Sequence, residues 1–211
     1  MIDTIANIVT ALATLGMAVV GGFAIYTWRK EFIGKKKIEL AAEIMTTVMG
    51  FQDILINARI EITVPMELDE VKKWLEEVNL KKQNIQNVIL WPIYLDRLRC
   101  LLPIHRLNKS AEMTDSFAAI LNKSLIYFGE DLYRLLVELH SFLSKIRHAS
   151  EMLYENPESI ELQQIALTQN VNDPTSKRIF AIGDEIRFNL EKIYKDQQTK
   201  WKKLKVGSKD E

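Results

Sequence analysis

From Thr4 to Trp28 no side chain carries a charge, and that run constrains this chain more than any other feature. A helix rises ~1.5 Å per residue, so about 20 apolar residues match a hydrocarbon core of ~30 Å. A helix also satisfies its own backbone where water is excluded. The stretch Ile5 to Tyr26 therefore predicts one N-terminal transmembrane helix, with Tyr26 and Trp28 in the aromatic belt at the interface. Arg29, Lys30, Lys35, Lys36 and Lys37 follow directly, whereas the N-terminal flank offers only Asp3 and the α-amino group. Basic flanks stay inside. The expected placement is a single pass of the inner (cytoplasmic) membrane, N-terminus out and C-terminal part cytoplasmic. The expected organisation is an anchor with its basic juxtamembrane segment at 1–34, a cytoplasmic helical bundle at 35–205 and a flexible tail at 206–211.

Three other readings of the run fit less well. A cleaved signal peptide carries its positive charge before the apolar stretch, the reverse of the order here. A buried core helix would suit Asn7, Thr10 and Thr14, but core helices are seldom uncharged for so long. An interfacial helix needs a charged polar face, which the run lacks. Small residues recur along it at helical spacing: Ala11, Thr14, Ala18, Gly21 and Gly22. Such a stripe lets helices approach closely, and Asn7, with Thr10 and Thr14, is placed to bond across the interface or line a narrow polar path. Self-association is the corresponding expectation.

Beyond Gly34 the pattern turns amphipathic. Ala41, Ile44, Val48, Phe51, Leu55, Arg59 and Ile62 keep a three-and-four rhythm up to Pro65, which predicts a helix of about seven turns. Leu68, Val71, Leu75, Val78, Lys82, Ile85 and Ile89 predict a second, and Pro92 and Pro103 bound a short apolar piece. The longest stripe runs Phe117, Leu121, Leu125, Phe128, Leu132, Leu135, Leu139, Phe142, Ile146 and Leu153. Gly129 either divides it or is tolerated within it. Asn156-Pro157 closes it, a loop with a short helix follows, and Ile179, Ile182, Ile186, Leu190, Ile193, Trp201 and Leu204 form a last helix. No sustained alternation marks a strand. The expected fold class is all-α: one transmembrane helix followed by an antiparallel bundle of four or five long helices.

Net charge is zero and there is one cysteine, Cys100. The first removes any overall field toward nucleic acid; the second excludes an internal disulfide and a cysteine-rich zinc site. No cofactor-binding glycine loop or nucleophile elbow occurs, and no Glu-x-x-His pair for a metal centre, so neither metal nor cofactor is expected. Cys100 reads as a core residue. Lys200-Trp-Lys-Lys-Leu-Lys205 is basic with an interleaved Trp, which suits a helix C-terminus or contact with a membrane, RNA or an acidic partner.

Arg99 stands six residues before His105, and Arg134 six before His140. That spacing resembles the R-x(4–6)-H signature of HEPN ribonucleases, which implies metal-free RNA cleavage with His as acid or base and Arg steadying phosphate. The stretch Tyr26-Thr-Trp-Arg-Lys-Glu31, with the lysines after Gly34 and Ile38-Glu-Leu-Ala-Ala-Glu43, resembles uncharacterised bacterial single-span membrane proteins with a helical cytoplasmic domain. More distantly, the span, the size and the Arg/His pairs are similar to the pore-forming HEPN-like accessory membrane protein of RNA-targeting (type VI) CRISPR systems. That resemblance implies a ring-shaped assembly and a part in antiphage defence. The leading expectation is a non-enzymatic, membrane-anchored helical protein that self-associates or docks a cytoplasmic protein partner. The alternatives are a tethered ribonuclease using Arg99/His105 or Arg134/His140, and a scaffold without catalysis.

Overall fold

The three-and-four spacing is realised as helix throughout the described part of the chain. The structure is a computed structural model that describes residues 2–60, 65–77, 91–168 and 172–206; the side chains of 2–11, 65–66, 75–77, 91–96, 197–198 and 200–206 lie outside what it describes. In order come α1 (Ile2–Arg59), α2 (Pro65–Glu77), α3 (Trp91–Lys109), α4 (Ala111–Phe128), α5 (Glu130–Glu155), α6 (Ile160–Ala166) and α7 (Pro174–Val206). There is no strand among the described residues, only one isolated parallel bridge between Ile60 and Thr168. The expected positions Ile62, Val78, Lys82, Ile85 and Ile89 lie outside the described residues.

Two compact units emerge, Met1–Ala42 with Tyr194–Glu211, and Glu43–Ile193. In the larger unit α5 is the hub, packed against α3, α4 and α6, while α2 lies on α3. The hub buries Leu132, Leu136, Leu139, Phe142, Ile146 and Leu153 along one stripe. Each such aliphatic or aromatic side chain contributes roughly 1.5–3 kcal/mol when fully taken from water. Val71 of α2 joins Leu98, Leu101, Leu102 and Ile104 of α3 in one cluster. Cys100 joins Ala149, Leu153 and Ala166 in another, the core position expected of it. The later turns of α1 bury Ile44, Val48, Phe51 and Leu55, and α7 buries Ile179, Ile182, Ile186 and Leu190.

Several expectations need correcting. Pro103 does not end a helix; it lies inside α3. Leu101, Leu102, Ile104 and Leu107 are buried on both sides of it, so packing offsets the ~3 kcal/mol cost of an interior proline. Gly129 divides the long stripe, with φ 87 and ψ −170, a region open essentially to glycine alone. The break resets the helical phase. Consequently Leu125, expected in the core, is 44% exposed, and α4 buries Ser124 beside Phe117 and Ile120.

The largest correction concerns the membrane. Among the described residues no helix is long and apolar enough to cross a bilayer. From Leu12, where the described side chains of α1 begin, the uncharged run reaches Trp28, and any longer stretch takes in Arg29, Lys30 and Glu31. Thr14, Gly16, Gly21, Gly22 and Thr27 dilute it further. The expected fold of a transmembrane helix plus bundle is thus reduced to its all-α, helical-bundle part. The inner-membrane, single-pass placement with its N-terminus out does not stand.

Candidate functional site in the first turns of α1

A helix apolar on one stripe buries that stripe; a helix apolar on all sides is ordinarily covered on all sides. The smaller unit departs from that rule. Leu12, Leu15, Met17, Val20, Phe23, Ile25, Tyr26 and Trp28 are each 64–69% exposed, with Val19, Phe32 and Ile33 also open. At 100° per residue these positions surround the axis rather than line one face. The small stripe lies within this length: Thr14, Ala18 and Gly22 are exposed and Gly21 is half-buried. A Cβ added at Gly16, Gly21 or Gly22 would meet nothing within 4 Å. Asn7, Thr10 and Ala11 belong to α1, but their side chains lie outside the described residues.

The composition changes in order along the axis. Trp28 stacks on Phe32 with ring centroids 5.6 Å apart and planes 23° off parallel. This pairing follows from their i, i+4 spacing; Phe32 belongs with Tyr26 and Trp28, although the sequence reading did not single it out. Arg29, Lys30, Lys35 and Lys36 are exposed and Lys37 half-buried. Lys36 meets Glu39 at 3.1 Å in an exposed pair. The C-terminal lysines at 200–205 lie outside the described side chains.

The Arg/His pairs do not assemble. Six residues along a helix amount to about 240° of rotation, so the members of each pair point to different sides. Arg99 is exposed, whereas His105 is 9% exposed and faces Glu70 at 3.3 Å and the Trp74 ring at 6.1 Å. Arg134 is turned outward onto Glu130, 2.7 Å away. His140 sits against Phe51 and Phe117, its ring 6.0 and 5.9 Å from theirs. Burial among these rings pushes its pKa below the ordinary histidine value, favouring the neutral ring. No group of three or more His, Cys, Asp or Glu among the described residues is placed to hold a metal ion.

Two polar constellations escaped the sequence reading. Arg59, fully buried, donates from Nε to the Ile165 carbonyl at 2.7 Å. Its Nη1 donates to Ser176 Oγ at 2.6 Å, and its Nη2 to the Gln164 carbonyl at 2.7 Å and Asp173 Oδ1 at 2.8 Å. Asp173 also accepts from the Thr175 and Ser176 backbone N–H groups, which caps the start of α7. Burial works to raise the Asp173 carboxyl pKa, but the hydrogen bonds from Arg59 and Ser176 prevail and hold it at about 2. Every guanidinium direction is taken, so this node fastens α1, α6 and α7 together and leaves nothing for a ligand. Its signal was an arginine in register with the apolar stripe of α1.

The second constellation ties α2 to α3. Arg106 meets Glu67 at 2.7 Å and donates to the Asn57 and Ala58 carbonyls in the last turn of α1 and to the Ile60 carbonyl just past it. Glu70 pairs with Lys109 and His105, and the Lys109 and then the His105 hydrogen bond hold its carboxyl below the usual range. A shallow recess of about 380 Å³ lies between these groups, lined by Ile54, Ile60, Glu67, Arg106 and Lys109. Of its charged walls, Glu67 and Arg106 engage each other and Lys109 engages Glu70 beside the recess.

No protein-family model, no curated protein and no solved structure matches this chain, so what the resemblances imply rests on the quoted residues alone.

Proposed function

We propose that this chain docks a helical domain onto a lipid surface through the uncovered length of α1 from Leu12 to Ile33, with no chemical step of its own. One observation carries the reading: eleven large apolar side chains in that length are exposed, and they face all directions. Full burial of each is worth roughly 1.5–3 kcal/mol; since each is already partly covered, the sum is on the order of 10–20 kcal/mol. That exceeds the low end of the ~4–15 kcal/mol cost of association. A single partner helix covers one side and leaves the others in water, whereas lipid takes up every side. The mode of contact is insertion of this length among acyl chains from one side of the bilayer, which differs both from a crossing and from a helix lying in the interface with one face in water.

The test is flotation of the full chain with vesicles, set against the Leu15→Ser/Val20→Ser/Phe23→Ser variant. The native chain is expected to float with lipid and the variant to remain behind with its helical content unchanged. Should the native chain ignore vesicles and sediment alone as an oligomer, its covering partner is a second copy and the lipid reading is wrong. The ribonuclease alternative would need an Arg and a His at one place, and neither Arg99/His105 nor Arg134/His140 supports it.

A further inference from the structure

We infer that residues 29–37 of α1 act as a cationic collar that selects anionic phospholipid headgroups over neutral ones, an inference that rests on the lipid-docking reading above. Three observations lead to it.

The first is order along the axis. Apolar side chains occupy 12–25, the exposed aromatics Tyr26, Trp28 and Phe32 come next, and the cations interleave and follow at 29, 30, 35, 36 and 37. Hydrocarbon, interface and charged headgroups are stacked in that order at a lipid surface. The collar spans eight rises of ~1.5 Å, about 12 Å, within reach of a headgroup layer once long lysine stems bend toward it.

The second is distribution around the axis. At ~100° per residue, Arg29 and Lys36 share one side, Lys30 and Lys37 a second, and Lys35 a third. A nucleic-acid strand needs a groove or track to follow, and a convex helix ringed by charge supplies none. A layer of headgroups surrounding the helix meets all three sides.

The third is charge balance. The segment holds five cations against Glu31 alone, a net of +4, in a chain with 28 basic and 28 acidic residues; the remainder therefore carries −4. The attraction is local and acts within a Debye length of ~8–10 Å. Dipole compensation does not account for these cations, because they lie mid-helix, far from the end of α1 at Arg59. Lys36 meets Glu39 in a contact that leaves both side chains exposed.

The experiment uses the full chain produced in the presence of phosphatidylcholine vesicles, or of vesicles in which about a third of the lipid is phosphatidylserine. The comparison is Lys35→Gln/Lys36→Gln/Lys37→Gln. Each cation near an anionic surface is worth about fivefold in partition; with partial screening the triple variant is expected to lose about ten- to a hundredfold on anionic vesicles. Its binding to neutral vesicles and its helical content should not change, and added salt should reproduce the loss in the native chain. Equal binding of native and variant chains to both vesicle types, insensitive to salt, overturns the collar and leaves the apolar docking intact. Failure of the native chain to bind either vesicle overturns both.

Discussion

Two stretches of α1 have similar apolar content and opposite fates. Between Leu12 and Ile33 the apolar side chains surround the helix and remain in the open; farther along, Ile44, Val48, Phe51 and Leu55 fall on one stripe and disappear into the larger unit, with Met49 left exposed beside it. The later stretch carries polar groups on its other faces and ends in Arg59, whose donors are all matched. The earlier stretch has no charged residue until Arg29. Periodicity, rather than hydrophobicity, therefore decides which part of a long helix can belong to a packed domain. A stripe can be sealed by neighbours within the chain, while an all-round apolar rod needs a medium or several partners.

The largest change should come from the sealed end. Arg59→Leu strands the Asp173 carboxylate and the Ile165 and Gln164 carbonyls, and should lower stability by about 3–5 kcal/mol in denaturant titration, as breaking a buried ion pair does. A loss below ~1 kcal/mol would mean that the node does not hold α1 to α6 and α7. Next comes the approach of α1 to α7. Gln52 donates to the Ile179 carbonyl at 2.9 Å, and a Cβ on Gly183 would lie 2.0 Å from Gln52 Nε2. Gly183→Ala should cost roughly 1–3 kcal/mol by overpacking, and Gln52→Ala in the same chain should recover part of it if that contact is the cause.

A smaller effect should appear on acidification. The His140 pKa is lowered in the fold, so its contribution is complete above the unfolded histidine value near 6.5 and is lost as pH falls toward the folded value. Asp173, held at about 2 against an ordinary 3.8, contributes fully above pH ~4 and loses that contribution as pH falls toward 2. Melting temperature should step down in those two windows; His140→Phe should flatten the first and leave the second. The smallest stability effect belongs to the open end, where Phe23→Ser should change folding by no more than about 0.5 kcal/mol. A larger loss in the same denaturant titration would show that the apolar length is covered within the folded chain, and would erase the contrast between the two stretches.

Much of the helical order was legible from residue pattern. The stripes of α5 and α7, the stop at Asn156-Pro157 and the core position of Cys100 follow from spacing and composition, which act locally. Leu125 and Pro103 were misplaced because their fates depend on neighbours. The turn at Gly129 rotates α4 relative to α5, and the α3 core accommodates a proline that would end an isolated helix. Of the candidate site, Tyr26, Trp28 and the basic residues after them were visible as a cluster, while Phe32 emerged only through its stack on Trp28.

The amino-acid order by itself determined that this chain is helical, that its early turns are apolar on every side and that cations follow them, because propensity and periodicity reside in neighbouring residues. Tertiary structure alone decided that Arg59 joins Asp173 across 114 positions and that Gln52 fills the space left by Gly183. Those outcomes depend on distance and direction between helices, which no local pattern encodes.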